Sequence, residues 1–83
     1  MYKVEFSRKA DFQFSKLDNS LQERILNIFN RIKIRPHHFV KKKGGTNYYI
    51  LRIGKYRAIL DIKKNKLIVL VIEIGLRKNI YKN

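Results

Sequence analysis

The sequence contains no cysteine, a single proline and only four glycines among its 83 residues. Without cysteine, neither a disulfide framework nor a thiolate zinc site can staple so small a fold, so its stability has to come from packing, with or without a partner. No stretch of about 18 uncharged apolar residues is present, which excludes a membrane-spanning helix. Met1 to Ser7 also lacks the apolar run of a secretory leader, and the expected location is the cytoplasm, with no membrane as partner. A chain this short buries only about 60% of the surface its unfolded form exposes. That leaves room for one domain over residues 1–83 and none for a second.

Acid is the other scarcity. Six Asp and Glu stand against twenty Lys and Arg, a formal charge of +14. Such an excess is far more than solubility requires and points to a polyanion, since each neutralised phosphate releases condensed counterions. A basic structural RNA-binding protein would carry the same signature. Apolar residues are plentiful at 45% of the chain, with five Phe and five Tyr, enough for a core and against disorder.

Tyr2, Val4 and Phe6 alternate with Lys3 and Glu5, the period-2 pattern of a half-buried strand. Ser7 is placed to cap a short helix whose Ala10, Phe14 and Leu17 share a face. Asp18, Asn19 and Ser20 break that helix. From about Leu21, the residues Leu21, Ile25, Ile28, Phe29 and Ile32 recur at helical spacing, with Ser20 and Glu23 placed as a capping box. Pro36 stops the second helix. His37 to Asn47, with Lys41, Lys42, Lys43, Gly44 and Gly45, reads as a flexible basic loop. Tyr48 to Ile53, Tyr56 to Ile62 and Leu67 to Ile74 read as strands joined by Gly54-Lys55 and Lys63 to Lys66. The expected fold class is therefore α+β: a strand, two helices, a three-stranded antiparallel meander and a short C-terminal segment.

Helices should cover one face of that sheet and leave the other partly open. Alternation assigns Tyr49, Leu51 and Ile53, then Tyr56, Ala58, Leu60 and Ile62, then Ile68, Leu70, Ile72 and Ile74 to the covered face. The open face would carry Ile50 and Arg52; Arg57, Ile59 and Asp61; and Val69, Val71 and Glu73. Arg52 and Arg57 flank the Gly54-Lys55 turn and fall on neighbouring strands of this face. Arg77 follows the last strand. Three guanidiniums together suit bidentate phosphate binding and the extra charge of a pentacoordinate transition state. An exposed face with its arginines paired to Asp61 and Glu73 fits the same pattern.

Tyr81, close to the end of the chain, is either an anchor that docks the tail or a phenol that donates a proton or stacks on a base. His37 and His38 invite a reading as an acid and base, but a histidine pair in a loop is more often solvated or packed under a helix end. Neither they nor Asp61 and Glu73 have metal-ligand spacing, so no metal or other cofactor is expected. Lys41 to Lys43 form the simplest phosphate-contacting patch, and Gly44-Gly45 does not complete a P-loop.

Three stretches resemble the RelE/ParE superfamily of type II toxins: Pro36 to Phe39 leading into the Lys41 to Gly45 loop; Tyr49-Ile50-Leu51-Arg52-Ile53-Gly54-Lys55-Tyr56-Arg57; and Leu67 to Ile74 followed by Gly75-Leu76-Arg77 and Ile80-Tyr81. The resemblance spans essentially the whole chain and is strongest toward RelE-like messenger RNA interferases. It implies a ribosome-dependent, metal-independent endoribonuclease, neutralised by a cognate RelB-like antitoxin in a hetero-oligomer. Its catalytic set would be Arg52, Arg57, Arg77 and Tyr81, with Lys41, Lys42, Lys43 and Lys55 on the RNA. One departure is Ile50, where the family pattern has a further basic residue: either Lys41 to Lys43 substitutes for it or activity is weaker. The same superfamily implies an alternative, a ParE-like inhibitor of DNA gyrase that acts by contact without catalysis.

Overall fold

The computed structural model describes residues 1–76. Strand β1 (Lys3–Phe6) leads into helix α1 (Arg8–Ser15) and helix α2 (Asn19–Ile32), then a 3-10 turn at Pro36–His38. Strands β2 (Val40–Lys42), β3 (Tyr49–Ile53), β4 (Tyr56–Lys63) and β5 (Ile68–Leu76) follow. They form one five-stranded sheet in the order β1-β5-β4-β3-β2. The meander of β3, β4 and β5 is antiparallel as expected, while β1 lies parallel to β5 and β2 antiparallel to β3 at the two edges. Among the described residues no helix is long and apolar enough to cross a membrane.

Each helix begins where a short polar side chain can take an orphan backbone donor. The Ser7 hydroxyl accepts from the Ala10 N–H at 3.0 Å and donates to the Ile72 carbonyl at 2.7 Å, so the cap of α1 also fastens that helix to β5. The cap of α2 is Asp18, just ahead of the capping box expected from Ser20 and Glu23. Its Oδ1 accepts from the Leu21 N–H at 2.8 Å and from the Ser20 hydroxyl at 3.0 Å. These bonds, the backbone one foremost, hold the Asp18 carboxyl below the usual carboxylate range.

Ile25, Phe29 and Ile32 of α2 are buried at helical spacing against Leu51, Ile53, Ala58, Leu60, Val69, Val71 and Ile74 of the sheet, with Ala10 of α1 closing the layer. Phe6 meets Phe14 and Phe29 edge-on, at 5.4 and 5.7 Å between ring centres, so the β1 side of the core is aromatic.

Two expectations need correction. Along β5 the covered face carries Val69 and Val71 rather than Ile68, Leu70 and Ile72. Leu60 pairs with Val71 and Ile59 with Glu73, so Ile72 is an extra residue that reverses the alternation ahead of Ile74. The amide of Ile74, just past this bulge, is taken by the Gln13 side chain of α1 at 2.7 Å. The second correction concerns 37–47, which is not an irregular loop. Lys41 and Lys42 sit on β2, paired with Ile50 and Tyr49. The Lys43 amide donates to the Tyr48 carbonyl, and the Lys43 carbonyl accepts from the Thr46 amide and hydroxyl, closing the turn between β2 and β3.

Candidate functional site

The β3–β4 hairpin turns at Gly54-Lys55, with Gly54 at φ +58. A positive φ at the first central residue that Lys55, the second, does not share is the pattern of a type II′ turn, whose twist matches the flanking strands and sets their register. That register places Arg52 directly opposite Arg57, and Ile50 opposite Ile59. On the other side, Lys41 of β2 is opposite Ile50. Paired residues share a face, so Lys41, Ile50, Ile59, Arg52 and Arg57 lie together on the side of the sheet away from the helices.

Here the molecule has a concave site of about 470 Å³, lined by Phe39, Lys41, Lys42, Lys43, Gly44, Ile50, Arg52 and Arg57. Arg52 is exposed and Arg57 is buried at 6% exposure. Nearby, Asp61 pairs with Lys63 at 3.0 Å and Glu73 with Lys9 at 3.3 Å. Two guanidiniums at facing positions, with lysines on the rim, make this cavity suited to an anionic group such as a phosphate.

The sequence candidates divide accordingly. Arg52, Arg57, Lys41, Lys42 and Lys43 converge on one cavity. Lys42 points partly elsewhere, its Nζ lying 5.8 Å from the centre of the Tyr49 ring. Lys55 occupies the hairpin turn and does not line the cavity. Arg77 and Tyr81 lie outside the described residues. The histidines are exposed and do not line the cavity: His37 meets Tyr49 edge-on at 5.1 Å, and His38 meets Phe39 at 4.9 Å. Among the described residues no three His, Cys, Asp or Glu side chains group to hold a metal. Phe39 and the turn glycine Gly44 also line the cavity, although the sequence marks neither as a binding residue. The signal for Phe39 was its period-2 relation to Lys41, hidden while this stretch read as a loop.

An α+β domain with helices on one sheet face and a cationic cavity on the other defines the class, a small basic domain built to receive an anionic ligand on its open face. The family model described as the ParE toxin of the type II toxin-antitoxin system, parDE, matches residues 4–81, and the chain belongs to that family. Among solved structures, the intact E. coli RelBE toxin-antitoxin complex is similar with a TM-score of 0.80 and 21% identity, over 92% of this chain and 96% of that one. The RelBE2 complex from Mycobacterium tuberculosis gives a TM-score of 0.81 and 20% identity, covering 92% and 91%. The archaeal RelE-RelB complex from Pyrococcus horikoshii OT3 gives 0.81 and 20%, covering 92% and 94%. At these identities the likeness establishes the fold. No curated protein sequence matches the chain.

Proposed function

We propose that this toxin is a ribosome-dependent endoribonuclease that cleaves messenger RNA in the cytoplasm and is silenced by a RelB-like antitoxin. The observation that carries the reading is the opposed pair Arg52 and Arg57 in a cavity rimmed by lysines. In the proposed reaction a ribose 2′-oxygen attacks the adjacent phosphorus and loses its proton. The bond to the 5′-oxygen breaks, that oxygen takes up a proton, and a 2′,3′-cyclic phosphate remains. The phosphorane between these states carries extra negative charge, which two guanidiniums on facing strands offset more strongly than they offset the substrate's charge. No metal is asked for in this scheme. Arg77 would add a third cation and Tyr81 would orient the substrate or assist proton transfer, while Lys41, Lys43 and Lys55 hold flanking phosphates.

Antitoxin control is supported by the neighbours, several of which are toxin-antitoxin complexes. The match to a ParE family model favours one other reading, inhibition of DNA gyrase without catalysis. Primer extension on translated messenger with purified toxin decides between them. The nuclease reading expects new 5′ ends within codons on ribosome-bound messenger and intact supercoiling by gyrase. Intact messenger together with failing supercoiling overturns it in favour of the ParE-like reading.

A further inference from the structure

Phe39 is a large aromatic residue left 39% exposed on the wall of the cationic cavity. It follows the 3-10 turn and precedes β2, and one step beyond the pairing of Val40 with Leu51 brings it beside Arg52. An edge-to-face contact with His38, at 4.9 Å and 81°, orients its ring. Ile50, on the neighbouring strand, adds a second apolar patch to the same cavity.

A site that held phosphate alone would gain nothing from an exposed ring among its cations. Aromatic side chains beside guanidiniums are the composition of grooves that bind single-stranded nucleic acid, where the ring takes a base face and the cations take the backbone. A paired A-form helix keeps its bases stacked on one another and has none to offer. From Phe39 through Arg52 to Arg57 the site crosses three adjacent strands, about 10 Å at the usual strand spacing of roughly 4.8 Å.

We infer that Phe39 is a base platform: it stacks an unpaired RNA base next to the phosphate held by Arg52 and Arg57, making the cavity selective for single-stranded RNA. The inference rests on the nuclease reading for the identity of the ligand and extends it to a residue that contacts substrate.

Fluorescence anisotropy with the full chain tests it, using a short 2′-O-methyl single-stranded RNA that cannot be cleaved, the same RNA in a duplex, and inorganic polyphosphate. Phe39→Ala should weaken binding of the single strand by roughly 5- to 150-fold, the range for removal of one base stack. Binding of polyphosphate should not change, and Phe39→Trp should restore the single-strand affinity. Equal losses for all three ligands, or no loss for any, overturn the platform. So does a Phe39→Ala protein that binds RNA normally and fails only to bind its antitoxin, since the residue would then serve a protein interface. Messenger cleavage is scored separately. A Phe39-dependent preference for single strands without any cleavage keeps the platform and rejects the nuclease, whereas wild-type cleavage and affinity in Phe39→Ala reject the platform alone.

Discussion

Arg52 and Arg57 stand directly across the β3–β4 ladder from each other, one exposed and the other buried, and both line the same cavity. The arrangement follows from a two-residue turn: Gly54 supplies the positive φ, and every pairing back along the hairpin is then determined. Two like charges at facing positions lower the stability of a sheet. An anionic ligand bound between them would offset that cost.

Replacing Arg52 with Gln should therefore separate stability from function. Relief of repulsion should leave thermal stability unchanged or raise it by up to about 1 kcal/mol. Messenger cleavage should fall about 10²- to 10³-fold, as for the removal of one well-placed charge donor. Thermal melts beside primer extension read both quantities. A variant that loses stability and keeps its cleavage rate would show that Arg52 serves the sheet rather than the reaction.

Arg57 calls for a different substitution, because at 6% exposure its side chain is part of the packing. Alanine there removes buried volume as well as charge, so a loss of activity would be ambiguous. Arg57→Lys keeps the charge and loses the planar fork that grips a phosphate through two hydrogen bonds. Cleavage should drop by at least roughly tenfold, with RNA affinity falling less than the rate if the grip tightens in the transition state. Equal losses in rate and affinity would make Arg57 a binding residue only.

Helices, meander and the facing of Arg52 with Arg57 were legible because each rests on local signals: helical spacing in Leu21 to Ile32, alternation in β3 and β4, and a turn glycine between them. The rest depended on tertiary context. β2 has only three residues, two of them lysines, and becomes a strand through its ladder with β3. Period-2 counting runs straight through Ile72, where the bulge inserts one residue, and so exchanges the faces of Val69 and Val71 with those of Leu70 and Ile72. Among the candidate site residues, the lysines at 41–43 are recognisable as a patch, but their strand geometry, and with it the place of Phe39, required the sheet.

Asp18 offers a stability prediction with a definite sign. Its carboxyl is held below the ordinary value by the Leu21 amide and the Ser20 hydroxyl. A depressed folded-state pKa contributes stability that is complete above the unfolded value, about 3.9, and is lost as pH falls through the folded one. Asparagine accepts the same hydrogen bond without titrating. Asp18→Asn should therefore melt close to wild type at neutral pH, and its drop in melting temperature below about pH 4 should be shallower than in wild type. Melting temperatures that fall in parallel for the two proteins across this acid range would assign the sensitivity to other groups.

The pairing of Lys41 with Ile50 makes the last prediction a charge transplant. Ile50 stands where the family resemblance implies a basic residue, and Lys41 lies opposite it, on the same face and about one strand spacing, roughly 4.8 Å, away. If Lys41 supplies the missing charge, Lys41→Ala should weaken RNA binding and flatten its salt dependence by about 0.7 in log-log slope for each single-strand phosphate that is no longer neutralised. Adding Ile50→Lys to that variant returns a cation to the same cavity from the neighbouring strand and should recover most of the affinity, the slope and the cleavage rate. Ile50 is only partly buried, so the ammonium of a lysine there can reach water and the sheet should tolerate the change. Ile50→Lys in the wild-type background should raise affinity at low salt and lose that advantage as salt increases, because the added attraction is screened. Titrations of all four proteins across salt concentrations, with melts to verify folding, give the answer: a double variant that folds and binds no better than Lys41→Ala would mean that Lys41 does not stand in for the basic position that Ile50 has lost.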